Sequence, residues 1–176
     1  MSSRFERVGS ETNYEGKMFT VVEETFRHED GEEVTREIVR HNGAVGVVAH
    51  DDERIYLVRQ PREAIGVPDL LEIPAGKLDV DGEEPLDAAK RELAEEIGKA
   101  AEHWELLHDY YSSAGFTDEE CIVYLATGLS DAEADTDEHE RIDIETRPLS
   151  ELDALIDEVR DAKTLIGLLE LRRRRR

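Results

Sequence analysis

The chain has 176 residues, with 44 Asp and Glu against 22 Lys and Arg, for a formal net charge of −22. This length suits one ordinary domain with short additions. The charge repels nucleic-acid phosphates, which argues against a general DNA- or RNA-binding role, and no run approaches the ~20 apolar residues of a membrane span.

A single cysteine, Cys121, excludes an internal disulfide. Its place in the run Cys121-Ile122-Val123-Tyr124-Leu125-Ala126 marks it as a buried structural thiol. The residues after Met1 lack the apolar core of a signal peptide, so a cytoplasmic location is expected. Only five of the 22 basic residues are lysines; excess acid with little lysine is the surface expected of a protein from a salt-loaded cytoplasm.

Strands are predicted over Phe19–Phe26 and Glu33–Arg40, with Asp30-Gly31 as a hairpin signal between them. Ala44–Ala49 and Ile55–Arg59 follow as buried strands, then a loop with Pro61, Gly66 and Pro68 that leads into Leu70–Gly76. The clearest helix spans Pro85–Ile97: Pro85 suits its first turn, Asp87 the positive end of the dipole, and Gly98 the stop. Strands are expected at Glu105–Tyr111, Glu120–Thr127 and Ile142–Arg147. Ser150–Asp153 reads as a capping box for a helix to about Val159, and Asp161–Leu171 as a last helix. The acidic run Asp131–Glu140 is either a solvated connector or an active-site loop. The arginines 172–176 are expected to fray and pair with the chain's own acidic surface. Together these elements predict an α/β mixed sheet with helices packed on it.

The chemistry is concentrated in Arg91-Glu92-Leu93-Ala94-Glu95-Glu96-Ile97-Gly98. Helical spacing places Glu92, Glu95 and Glu96 within about 100° of arc, beside the apolar stripe of Leu86, Ala89, Leu93 and Ile97. Like charges so placed repel, and a hard divalent cation removes the conflict. The plain alternative is an acidic, solvated helix face. The tight loop Ile73–Asp79 lies just before the helix, and Glu83 is placed to brace Arg91. A loop, a helix and convergent carboxylates are the parts of a metal-assisted phosphoryl-transfer site.

Gly76–Lys99 resembles a Nudix box, G-x5-E-x7-R-E-U-x-E-E-x-G-U with U aliphatic, through Gly76, Glu83, Arg91, Glu92, Leu93, Glu95, Glu96 and Gly98. Six residues rather than five separate Gly76 from Glu83, and Lys99 stands at the last aliphatic position. Ser10–Gly16, His41–Val45, Val58–Arg62, Leu71–Lys77 and Tyr111–Glu119 are similar to segments of ADP-ribose pyrophosphatases within that superfamily. Two positions differ from those segments: Ala114 replaces the usual Pro, and Pro61 the usual aromatic.

The resemblance implies a Nudix-type mixed β-sheet sandwiched between α-helices, with an N-terminal strand extension. Residues 1–42 would be the strand segment for dimerisation and substrate contacts, 43–171 the hydrolase domain, and 172–176 a basic tail. It implies Mg²⁺, with Mn²⁺ as the alternative, held by Glu92, Glu95, Glu96 and the Ala75 carbonyl. Arg62, Tyr14 and Phe116 would contact substrate; the plainer roles are a surface ion pair for Arg62 and a core aromatic for Phe116. Phe19 is a further candidate, with strand-core packing as its plainer role. The proton acceptor would be Glu138 or Glu140, with Glu92 or Glu96 acting on a bound water as the competing base. The implied reaction is hydrolysis of ADP-ribose to AMP and ribose 5-phosphate by a homodimer. The alternatives are hydrolysis of another nucleoside diphosphate derivative such as a nucleotide sugar, a silent ADP-ribose sensor, or an acidic scaffold without a small-molecule site.

Overall fold

The computed structural model describes residues 4–133 and 141–175. They fall into two compact units, the first formed by residues up to 43 together with 111–120, the second by 44–110 and the rest.

The first unit is an antiparallel meander of β1 (Phe5–Glu15), β2 (Thr20–His28) and β3 (Glu33–Arg40). The Asp30-Gly31 turn closes as expected: Gly31 N donates to the His28 carbonyl at 3.0 Å, and Asp30 Oδ1 accepts from Glu32 N. β1 has no counterpart among the predicted strands, because its residues are exposed almost throughout and show no apolar alternation. Phe19 lies just before β2 and is 40% exposed, so it is not a strand-core residue. Glu24 on β2 is buried, with Arg40 Nη2 at 2.6 Å and Arg7 Nη1 at 2.9 Å. Burial opposes its charge, yet the two guanidinium groups prevail and hold its pKa below the usual value. The 111–120 segment pairs with β3: Val39 N donates to the Phe116 carbonyl, Asp118 N to the Val39 carbonyl, and Arg40 Nη1 to Asp118 Oδ2.

The second unit is a seven-stranded mixed sheet of β4 (Ala44–His50), β5 (Arg54–Arg62), β6 (Val67–Glu72), β7 (Ala75–Lys77), β8 (Lys99–Tyr111), β9 (Glu120–Asp131) and β10 (Asp143–Pro148). The main path runs β10-β5-β4-β9-β8, with β6 on β5 and β7 on β4. β4 and β9 are parallel, in register from Ala44↔Cys121 to Ala49↔Ala126, whereas β5, β6, β7 and β10 pair antiparallel. Val45, Val47, Val48 and Ala49 are all fully buried, the mark of a strand covered on both faces.

The cover on one face is α1 (Pro85–Ile97), whose Ala88, Ala89, Leu93 and Ile97 pack on Val45, Val47, Ala49 and Val58. On the other face, α2 (Leu152–Glu158) and α3 (Ala162–Arg174) bring Leu152, Leu155, Leu168 and Leu171 against Val48, Ile55, Leu57 and Val123. Burying each of these leucines contributes roughly 2 kcal/mol. The expected sheet sandwiched between helices is thus present, with the strand extension before it.

Two local expectations need correction. Ser150 does not cap a helix: Leu149–Glu151 forms a 3-10 turn, and α2 begins at Leu152 without a side-chain cap. The arginines do pair with acidic side chains, but Arg172–Arg174 belong to α3 rather than to a frayed tail. Arg172 meets Asp153 at 2.7 Å, Arg173 meets Glu170 at 2.6 Å, and Arg174 meets Glu105. Arginine is a good helix former, and cations are favoured at a helix C-terminus.

Candidate active site

α1 starts with Pro85 in its first turn and stops at Gly98, whose φ of 63° puts it in the left-handed region; Gly98 N donates to the Ala94 and Leu93 carbonyls. Between those ends the Leu93 and Ile97 stripe is driven into the sheet, which fixes the direction of the adjoining acidic face.

The arrangement on that face is specific. Arg91 forks onto Glu83, with Nε to Oε1 at 3.0 Å and Nη2 to Oε2 at 3.1 Å. Its Nη1 donates to Glu92 Oε1 at 2.7 Å and to Glu95 Oε2 at 2.9 Å. The Glu83 fork raises the Arg91 pKa against the opposing effect of burial, and Glu92 and Glu95 add to it. Glu83 therefore braces Arg91 as its spacing foretold, and one guanidinium serves three carboxylates.

Glu96, only 8% exposed, points towards the strand before the helix: its Oε2 accepts from Ala75 N at 2.9 Å. Next to it, Glu92 packs on Gly76 so closely that a Cβ at position 76 would lie 1.9 Å from both Cδ and Oε1 of Glu92. A side chain at position 76 would displace the carboxylate end of Glu92 from this seat. The sheet holds this strand firmly, since β7 pairs with β4 through Ala44↔Lys77, Val45↔Gly76 and Gly46↔Ala75, and Val47 N donates to the Pro74 carbonyl at 2.8 Å.

The donor chemistry, carboxylate oxygens on one helix face beside a backbone strand, fits a hard divalent cation, and the cradle at Gly76 leaves Glu92 its room. Among the described residues, no three His, Cys, Asp or Glu side chains are gathered into a ready ligand set. Glu92 and Glu95 are both hydrogen-bonded to Arg91 Nη1 in this arrangement.

The other predicted residues are placed as follows. Arg62, at the end of β5, has a partly exposed side chain that forks onto Glu72, with Nε to Oε1 at 2.5 Å and Nη2 to Oε2 at 2.8 Å. Glu72 raises the Arg62 pKa, with burial opposing. Tyr14 on β1 is 55% exposed, its ring 5.9 Å from that of Phe19. Phe116 is 54% exposed in the 111–120 segment of the first unit. Glu138 and Glu140 lie outside the described residues.

A cluster that sequence reasoning missed stands beside Arg62. Glu72 is fully buried, and Lys163 Nζ lies 3.5 Å from its Oε2 and 2.9 Å from Asp161 Oδ1. Asp161 Oδ2 accepts from Thr164 N at 2.9 Å and from Thr164 Oγ1 at 2.8 Å, and Thr164 Oγ1 in turn accepts from Ile73 N at 2.9 Å. The available signal was a lone acid inside the apolar run Leu70–Ile73.

Comparison with known proteins adds the following. The sequence model of the NUDIX domain matches residues 40–167. Over 141 residues the chain is 45% identical to an ADP-ribose pyrophosphatase of Mycobacterium tuberculosis, covering 80% of this chain and 68% of that protein. It is 39% identical to a methanol dehydrogenase activator of Bacillus methanolicus and 37% identical to an ADP-ribose pyrophosphatase of Bacillus subtilis; each match covers 92% of this chain and 89% of the relative. A crystal structure described as an ADP compounds hydrolase superposes with a TM-score of 0.86 at 23% identity, covering 97% of this chain and 94% of the other, a likeness of fold.

Proposed function

The chain belongs to the Nudix family and is a Nudix hydrolase, and from that premise we propose that it cleaves the diphosphate of ADP-ribose to AMP and ribose 5-phosphate in a metal-dependent reaction. The observation that carries this reading is the acidic face of α1 set against Ala75-Gly76, with Glu96 bonded to Ala75 N and Glu92 seated on Gly76. Two relatives named as ADP-ribose pyrophosphatases support the choice of substrate.

Glu92, Glu95, Glu96 and the Ala75 carbonyl would hold Mg²⁺, or Mn²⁺ in its place. When bound, the cation neutralises charge on the diphosphate oxygens. Glu138 or Glu140 takes a proton from the attacking water. The water oxygen bonds to one phosphorus as the bond from that phosphorus to the bridging oxygen breaks, and the other phosphate leaves with the bridging oxygen. Arg62 is fixed on Glu72 through Nε and Nη2 and offers Nη1 to the substrate's phosphates or terminal ribose. Tyr14 and Phe116 supply exposed rings for the nucleotide. The enzyme acts as a cytoplasmic homodimer in this reading.

The test is a panel of ADP-ribose, NADH, UDP-glucose and diadenosine polyphosphates, with Mg²⁺ or with chelator, and products separated by chromatography. AMP and ribose 5-phosphate formed fastest from ADP-ribose, and only with Mg²⁺, is the expected result. Faster cleavage of UDP-glucose would move the assignment to nucleotide sugars. Binding of ADP-ribose without turnover would make the protein a sensor.

A further inference from the structure

The cluster at the start of α3 lies on the opposite face of the sheet from α1, yet it reaches the strand that α1 uses. Thr164 is fully buried. Its hydroxyl proton is committed to Asp161 Oδ2, so an oxygen lone pair is left for the Ile73 N–H. Ile73 is followed by Pro74, whose ring fixes φ and whose carbonyl is held by Val47 N. The next amide, Ala75 N, is on Glu96, and the next residue, Gly76, is under Glu92. Four consecutive residues are thus tied in turn to α3, β4 and the two carboxylates of α1.

We propose that Thr164, with its hydroxyl oriented by Asp161, is a positioning residue for the hydrolysis: it sets the height of the segment 73–76 that leads into β7, so that the Ala75 carbonyl and the Glu92 and Glu96 carboxylates meet one cation in one geometry. Thr164 touches neither substrate nor cation in this role and acts through Ile73. The inference rests on the metal-dependent reading above. Residues that orient ligands from behind typically carry 10–100-fold in affinity or activity.

The test compares the full chain with Thr164→Val, Thr164→Ser and Asp161→Asn, at a temperature where circular dichroism shows all of them folded. Mn²⁺ affinity is read from the free-ion electron paramagnetic resonance signal without substrate, and kcat and KM are measured separately with ADP-ribose. Thr164→Val keeps the shape and removes the acceptor. It should weaken Mn²⁺ binding about tenfold or more and lower kcat by a similar factor, with KM within about twofold. Thr164→Ser should restore both, and Asp161→Asn, which keeps a capping oxygen, should show a smaller loss in the same direction.

Wild-type Mn²⁺ affinity in a folded Thr164→Val variant overturns the proposal. Should that variant fail to fold, wild-type affinity in Asp161→Asn does the same. A wild-type chain that binds Mn²⁺ but hydrolyses no diphosphate would sink the functional reading while the affinities still judge Thr164. A wild-type chain that binds no Mn²⁺ sinks both.

Discussion

Gly76 is the seat of the Glu92 carboxylate. A methyl group there would overlap the Glu92 carboxylate and push it aside, since the atoms in its way are the far end of that flexible side chain. Gly76→Ala should weaken cation binding by moving the Glu92 carboxylate, at less cost in stability than overpacking of a closed core. Thermal unfolding and a Mg²⁺ activation curve measure the two effects; an alanine variant with unchanged activation would show that Glu92 does not need this seat. The proton acceptor can be tested with single Gln substitutions. Glu138→Gln or Glu140→Gln should lower kcat by about 10²–10⁴ if that residue takes the water's proton. Near-full turnover in both would move the role to Glu92 or Glu96. The sequence already pointed to the α1 carboxylates and the Glu83 brace, because their contacts depend on helical spacing and a short loop. It was silent on the joining of the Arg62–Glu72 and Asp161–Lys163 pairs into one cluster, because the Glu72–Lys163 contact that links them spans 91 residues and no local pattern encodes it.

At the scale of elements, α3 is both a wall of the core and an anchor for the strand at the site. Its first turn depends on two charges. Burial works against the Asp161 carboxylate, but Lys163 and the two Thr164 donors outweigh it and hold its pKa below the usual value. Its contribution is present above the unfolded pKa of about 3.9 and is lost as pH falls through the lower folded value. Burial likewise opposes the Lys163 charge, yet Asp161 and then Glu72 raise its pKa. That contribution is complete below an unfolded pKa of about 10.4 and is lost as pH rises through the higher folded value. Urea unfolding should therefore show the Asp161→Asn variant losing less stability than wild type as pH drops below about 4. Parallel losses in the two proteins would remove Asp161 from that transition. α1 could be read end to end in advance because Pro85, Gly98 and the leucine spacing agree. β1 could not, since an exposed strand is stabilised by its neighbour's backbone, nine register pairs with β2, and not by an apolar face of its own.

At the scale of the whole molecule, the formal charge of −22 is the dominant fact. Added salt screens self-repulsion among exposed carboxylates, with a Debye length of about 10 Å at 0.1 M and about 3 Å at 1 M. The midpoint of unfolding should rise with KCl and the fold should weaken at low salt; a midpoint indifferent to KCl would count against a surface adapted to a salt-loaded cell. Among the described residues no helix is long and apolar enough to cross a membrane.

The first unit is stitched from two stretches of chain far apart in sequence. Residues 111–120 rely on β3 for the Val39 hydrogen bonds and on Arg40 and the His41 amide to hold Asp118. Trimming the chain to the span 40–167 would remove Val39 and β3 up to that point, and leave the 111–120 stretch attached at both ends but without its partner strand. A shortened version intended for crystallisation or biotechnology would therefore need either to keep the leading meander or to replace that stretch with a tight reverse turn between β8 and β9.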